Sequence, residues 1–248
     1  MRADYYETYH AVETQHWWFC GRREIVLSLL EHHSLTGVGR MVADIGCGTG
    51  ANLQALRGAA WAVGVDPSDE ALRFARTHGD SPLVAGTLPA LPFLSSCFDV
   101  VLALDVVEHV EDDAQAVAEL ARVCKPGGTV FITVPAYAWL WSGHDVVNHH
   151  KRRYTRTRLA NLVRAARLDV IQLSHFSTLL APPIIACRLI AKLLTKFKSP
   201  VRAEPDTAIP SPILNGPLRQ VFLLERAWLR NWSFPFGTSL LAIARRPS

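Results

Sequence analysis

The chain has no Cys-x-x-Cys pair. Its five cysteines, Cys20, Cys47, Cys97, Cys124 and Cys187, are odd in number and far apart. That argues against both a zinc knuckle and a disulfide framework, and it predicts a reducing, cytoplasmic setting. No run of 18 uncharged apolar residues occurs, so no membrane span is expected. The first residues, Met1-Arg-Ala-Asp-Tyr-Tyr-Glu, lack the apolar centre of a secretion signal. There is no internal repeat and no separate basic domain. The net charge of +4 is too mild to demand nucleic acid, though it suits an anionic partner. What is present is 248 residues, 49 % of them apolar, which excludes a disordered chain and suits one large α/β domain with additions.

Met41-Val-Ala-Asp-Ile45 is short, apolar and partly β-branched, so it reads as a buried strand with Asp44 near its end. Gly46, Gly48 and Gly50 follow at alternate positions, where backbone can adopt φ > 0 and let a ligand come close. Residues 51–56 have helical character. Strand, glycine turn and helix make a nucleotide-sized slot at the end of a parallel sheet. A second strand, Trp61-Ala-Val-Gly-Val-Asp66, ends in a carboxylate able to accept both hydroxyls of a ribose.

Asp44-Ile-Gly-Cys-Gly-Thr-Gly50, Gly64-Val-Asp66-Pro-Ser, Phe98-Asp-Val-Val, Glu108-His109 and Lys125-Pro-Gly-Gly128 stand in an order and spacing that resemble class I S-adenosylmethionine-dependent methyltransferases. The resemblance covers residues 40 to 135 and implies a Rossmann-like seven-stranded, mostly parallel sheet, helices on both faces and an antiparallel last strand. It implies S-adenosyl-L-methionine as cofactor, held by Asp44, Gly46, Cys47, Gly48, Asp66, Pro67, Asp105 and Val106. Thr87 and Leu88 occupy the adenine-side loop, where the family often has aspartate, so adenine recognition is expected to rest on backbone groups. His16-Trp-Trp-Phe19 followed by Arg22-Arg23 resembles the N-terminal segment of a bacterial subgroup. By that resemblance Arg22 meets the methionine carboxylate, with Arg23 equally open on chemistry alone.

Residues 1–38 are expected to form an aromatic, helical lid, with Tyr5 and Trp18 facing the acceptor or, more plainly, packed on the domain. The core is expected over 39–175 and 234–248. Residues 176–233 are expected to form a helical cap insertion carrying a basic-amphipathic helix over 184–197 and a proline-rich linker. In that helix Ile185, Ile190, Leu193, Leu194 and Phe197 oppose Arg188, Lys192 and Lys196, so it could touch an anionic membrane surface or pack on the core or a dimer partner. Pro217 is read as the start of a second helix.

His109, past the central strand, is the leading base, against a structural Glu-His pair that orders the turn. His144 with Asp145 offers a second base and its orienting partner. Asp105, Glu108 and His109 also resemble the acidic-histidine cluster of ubiquinone-pathway O-methyltransferases, which can hold a divalent metal, but no metal is assigned. Tyr137 is read as acceptor-binding, and His149, His150, Arg152, Arg153 and Tyr154 as able to bind an anionic acceptor, because arginine forks suit phosphate or carboxylate; a solvated helix start is the plainer alternative for the basic run. The reaction expected is methyl transfer to oxygen of a small-molecule, anionic or lipid-linked acceptor, with nitrogen and carbon open. The competing readings are a nicotinamide-dependent oxidoreductase and a non-catalytic cofactor-binding scaffold. The chain is expected in the cytoplasm, with peripheral contact at the inner membrane face, as monomer or homodimer.

Overall fold

The computed structural model describes residues 3–195 and 209–248, with side chains from Tyr6 to Ile190 and from Ile209 onward. The chain begins with helices α1 (Ala3–Glu13) and α2 (Trp17–His32). Then come β1 (Met41–Ile45), α3 (Ala51–Leu56), β2 (Trp61–Asp66), α4 (Asp69–Ala75), a 3₁₀ turn (Arg76–His78) and β3 (Leu83–Ala85). β4 (Phe98–Leu104), α5 (Asp113–Val123), β5 (Cys124–Pro135), α6 (Gly143–Val147), α7 (Arg156–Ala165) and β6 (Asp169–Phe176) follow. The last elements are α8 (Ala181–Thr195), α9 (Pro212–Leu229) and β7 (Ser239–Arg245).

The seven strands form one sheet in the order β3-β2-β1-β4-β5-β7-β6. Neighbours from β3 to β5 are parallel, whereas β7 runs antiparallel to both β5 and β6. This is the Rossmann-like arrangement that the sequence predicted. β4 shows why its residues read as an unbroken apolar run: both faces are covered. Val101 and Ala103 pack with Val117 and Leu120 of α5 on one side. Val100, Leu102 and Leu104 pack with Ile25, Leu29 and Leu53 on the other. Ser68 and Thr155 cap α4 and α7, their hydroxyls accepting the Ala71 and Arg158 amides at 3.3 and 3.2 Å. The Lys125-Pro-Gly-Gly128 motif forms the start of β5, which begins directly after α5.

The expected cap divides into two unlike parts. α9 belongs to the core, because Phe222 and Leu229 are fully buried. The Phe222 ring stacks on Phe176 at 6.3 Å and meets Trp17 edge-on at 5.7 Å. It lies so close to α2 that a Cβ on Gly21 would stand 2.4 Å from it. Glu225 of α9 accepts the Thr178 and Leu179 amides at 2.7 and 2.8 Å. α9 also starts earlier than expected, with Pro212 in its first turn and Pro217 inside it. α8 is different: Leu189 and Ile190 are exposed, at 47 % and 55 %. Its backbone is helical to Thr195, but the side chains of Lys192, Leu193 and Leu194 lie outside the described residues, as do Lys196, Phe197, Pro200 and Pro205. Among the described residues no helix is long and apolar enough to cross a membrane.

Candidate active site

The carboxyl ends of β1, β2, β4 and β5 open into one cavity of about 1150 Å³, where open α/β sheets bind ligands. Its walls divide into a half built on β1 and β2 and a half built on the segments after β4 and β5.

On the first half, Gly46 and Gly48 have φ of +71° and +53°, conformations that side-chain-bearing residues adopt at a cost. A Cβ on Gly46 would stand 2.5 Å from Val106, and one on Gly48 would meet nothing within 4 Å. The glycine loop is thus wedged against Val106 at one point and open to the cavity at the next. Asp66 fastens it: Oδ2 accepts the Gly48 amide at 3.0 Å and Oδ1 the Ser68 amide at 2.9 Å. Burial raises the Asp66 pKa, while these two bonds pull it down. Asp44 is 1 % exposed, and neither carboxylate oxygen has a hydrogen-bond partner. Burial lifts its pKa to about 7, although the nearby Asn52 side chain, just beyond hydrogen-bond geometry, and the Arg22 charge pull it down. A buried carboxyl with no partner, next to a loop of bare backbone, fits a ligand that brings a cation and hydrogen-bond donors, as S-adenosylmethionine does.

Cys47, Pro67, Thr87 and Leu88 complete this wall. Burial pushes the Cys47 thiol up, so it stays neutral, and the Thr87 hydroxyl is engaged with the Leu88 carbonyl at 3.2 Å. Of the two arginines, Arg22 is the one aimed at the reacting end. It forms a close ion pair with Asp105, which has φ of +59°, and its guanidinium lies 4.9 Å from the Trp18 ring centroid. Burial opposes the charge on Arg22, and Asp105, together with Tyr9 and Asp44, more than restores it. Arg22 Nε remains buried without a partner. Arg23 is spent on the Glu13 carbonyl, with two bonds of 3.3 Å.

The second half is imidazole-rich. His109, His144, His149 and His150 all line it. The Lys151 amide donates to the Glu108 carbonyl at 2.8 Å, which docks the 150 loop on the turn after β4. His150 then stands 4.7 Å from His109, ring to ring. One ligand atom each from Glu108, His109 and His150 lie within 4.8 Å of one another. Glu108 is fully buried, and both its oxygens lack a hydrogen-bond partner. Burial, then nearby Asp105, push its pKa well up, whereas burial and His150 push His109 down to about 4. Two imidazoles facing an unpartnered carboxyl are a donor set that fits a divalent cation.

Several expected roles change. Asp145 does not orient His144. It is fully buried, and Arg153 Nε and Nη2 donate to its two oxygens at 2.7 and 2.8 Å. It also accepts from the Ser142 amide at 2.8 Å, as the capping box of α6, and contacts His150 Nδ1 at 2.8 Å. Burial would raise its pKa, but His150 and Arg153 hold it below the usual carboxylate range. Its partner is therefore His150, whose Nε2 it leaves facing Glu108 at 4.0 Å. Arg153 reaches the cavity wall, but its fork is consumed by Asp145 and the Ala136 carbonyl, so it is unavailable to an acceptor. Tyr154 is fully buried, donating to Asp113 at 3.0 Å, and does not line the cavity. Tyr137 also lies outside it, stacked on His175 with its hydroxyl 2.9 Å from His175 Nε2. Asp105 pairs with Arg22 rather than joining the Glu108 group. Trp18 does line the cavity, and Tyr5 lies in α1 with its side chain outside the described residues. Glu13 and Asn52 are wall residues that no sequence signal marks, whereas His149 and His150, expected to bind an anionic acceptor, do line the cavity.

Known proteins resemble this chain in sequence and in fold. A family described as "Methyltransferase domain" matches residues 43–132. A "probable S-adenosylmethionine-dependent methyltransferase" of Mycolicibacterium smegmatis is 30 % identical over 160 residues, 63 % of this chain and 61 % of that protein. A ubiquinone biosynthesis O-methyltransferase of Paracidovorax citrulli is 34 % identical over 158 residues, 54 % of this chain and 65 % of its own. The chain thus spans less than two thirds of the length of either relative. The solved phosphoethanolamine N-methyltransferase 2 of Haemonchus contortus, in complex with S-adenosyl-L-methionine, superposes with a TM-score of 0.57 at 19 % identity. That match covers 90 % of this chain and 52 % of that one. Residues 43–132 thus match a methyltransferase-domain family, and the sheet around them has the fold of a solved "putative methyltransferase" of Bacillus halodurans, at a TM-score of 0.60 and 18 % identity over 89 % of this chain and 99 % of that one.

Proposed function

We propose that the chain transfers a methyl group from S-adenosylmethionine to an oxygen of a small-molecule acceptor. The observation that carries this reading is the continuity of the cavity: the Gly46, Gly48 and Asp66 wall, with Asp44 buried behind its loop, and the Glu108, His109 and His150 wall face one space, divided near Arg22, Asp105 and Val106. Asp66 would hold the ribose, Asp44 the ammonium and Arg22 the carboxylate of the cofactor. When bound, the cofactor supplies a methyl group on a sulfonium, already activated for displacement. The chain must then align an oxygen, deprotonate it and keep water out.

His109 and His150 support the choice of oxygen. A hydroxyl in this half can donate to a neutral imidazole, and His109 is neutral at physiological pH. With a pKa of about 4, His109 alone is a weak base for an ordinary hydroxyl. Glu108, His109 and His150 would hold a divalent cation, and when bound it would supply a Lewis acid that makes the hydroxyl more acidic. Asp145 then acts as a positioning residue for His150. The exposed apolar residues of α8 and its cavity-lining Ile184 and Arg188 are compatible with an amphiphilic acceptor. The name of the P. citrulli relative is compatible with such a molecule as well.

The test is calorimetry with S-adenosylhomocysteine and with NADH, followed by turnover on a library of phenols, catechols and amphiphilic hydroxy acids with and without a chelator. Binding of S-adenosylhomocysteine alone and a gain of 14 mass units on a hydroxyl are expected. Binding of NADH instead would return the nicotinamide reading, and tight cofactor binding without any methylated product would favour a scaffold.

A further inference from the structure

A second group of unpartnered donors lies outside the described acceptor half. His10 and Glu13 sit one turn apart on α1, and His78 ends the 3₁₀ turn that follows α4. Glu13 is 4 % exposed. Glu13 Oε1, His10 Nδ1 and His78 Nε2 are all buried, and none of the three has a hydrogen-bond partner. Glu13 Oε1 nevertheless stands 3.4 Å from His10 Nδ1 and 3.6 Å from His78 Nε2. All three atoms lie within 4.8 Å of one another. Zinc bonds of about 2.0–2.2 Å at tetrahedral angles put neighbouring ligand atoms roughly 3.3–3.6 Å apart, which the two measured edges match. The three buried atoms thus face one another without a hydrogen bond among them, an arrangement that a shared cation would satisfy.

We propose that His10, Glu13 and His78 bind a zinc-class divalent cation that clips α1 to the end of α4. Two imidazoles and one carboxylate are a ligand set for zinc rather than for calcium or magnesium, which prefer all-oxygen shells. His10 is held for this role by stacking on Phe74 at 4.9 Å. Arg23 binds the Glu13 carbonyl and leaves the carboxylate to the cation. The position matters because Tyr6, Tyr9 and Glu13 of α1 form part of the cavity wall beside Asp66 and Pro67. A cation here fixes that wall over the cofactor half, independently of any ion near Glu108.

The test separates the two clusters. The full chain carrying His109→Ala and His150→Ala, stripped with a chelator, is titrated with zinc and with cobalt as a spectroscopic probe. It should bind about one equivalent, with the absorption of tetrahedral cobalt and a raised melting temperature. Adding His10→Gln or His78→Gln should weaken zinc at least ten-fold and abolish the thermal gain, while melting without metal stays the same. No bound equivalent in the doubly substituted chain, or unchanged binding after His10→Gln and His78→Gln, overturns the proposal. Should that background fail to fold, anomalous scattering at the zinc edge from crystals of the unsubstituted chain decides. A peak between the three atoms supports the site, and no peak there overturns it.

Discussion

The cofactor half and the acceptor half of the cavity are built by different means. The first is made from β1, β2 and the loops directly after them, so that Asp44, Gly46, Gly48 and Asp66 fall within 23 consecutive positions. Backbone conformation does most of the work there: two glycines at positive φ and one carboxylate that ties the loop to β2. The second half is made from side chains on segments after β4, after β5 and on α8. Those segments are held by buried ion pairs and by single backbone bonds between loops. A site of the first kind is local in sequence and survives change elsewhere. A site of the second kind depends on struts that never touch a ligand.

The sharpest way to break this comparison is to remove a strut. Arg153→Ala leaves the fully buried Asp145 charge without its bidentate partner, and the expected loss is about 3–5 kcal/mol of stability in denaturant unfolding. Because Arg153 is far in sequence from the glycine loop, the folded fraction should still bind S-adenosylhomocysteine normally. A loss of cofactor affinity as large as the loss of stability would mean that the two halves are one unit.

Next in size is His109→Ala. Turnover should fall by about 10²–10³-fold, the usual worth of a proton-handling or positioning side chain, with cofactor affinity changed little. An equal loss in both would place His109 against the cofactor instead. A loss of ten-fold or less would return the role to His144.

These two substitutions also mark what the sequence showed. The strands and the glycine slot were legible, because apolar runs, glycine spacing and terminal acids are local signals; the mostly parallel sheet with its antiparallel last strand was implied by the resemblance, and the strand order is visible only in the fold. His109 was legible as a residue but not in its company, since His150 arrives through one backbone bond between Lys151 and Glu108. Asp145 is expected to orient His144, and Arg153 and Tyr154 to bind the acceptor, because charge and aromatic content look alike whether they face a ligand or one another. Only tertiary packing shows that Arg153 is spent on Asp145 and Tyr154 on Asp113. α9 was read as cap for a similar reason: its apolar stripe named no partner, and Gly21, which admits Phe222, is silent in sequence.

Smaller, and confined to the first half, is Asp66→Ala. It removes the acceptor of the Gly48 and Ser68 amides together with the expected ribose contact. Affinity for S-adenosylhomocysteine should drop by about 1–3 kcal/mol. Calorimetry on the folded variant that returns the parent affinity would remove Asp66 from the site.

The finest distinction concerns Asp44, whose carboxyl rises from 3.8 to about 7 on burial. The folded, unliganded protein therefore holds this proton more tightly than the unfolded chain does. Between those two values the unfolded state binds fewer protons, so this group makes stability fall as pH rises from about 4 to about 7, and the cost stays in full above that. A cofactor ammonium beside Asp44 favours the ionised form, so binding must displace the proton at low pH and need not at high pH. Affinity for S-adenosylhomocysteine should accordingly be up to about ten-fold tighter at pH 8 than at pH 6, or about 1.4 kcal/mol. Asp44→Asn should flatten that profile. Glu225, also raised by burial to about 7, lies away from the cavity and titrates in parent and variant alike, so it cancels in the comparison. Isothermal titrations at four pH values on both proteins carry the test. A parent profile that is already flat, or one that survives Asp44→Asn, would show that the ammonium is held elsewhere and that the unpartnered carboxyl serves the loop alone.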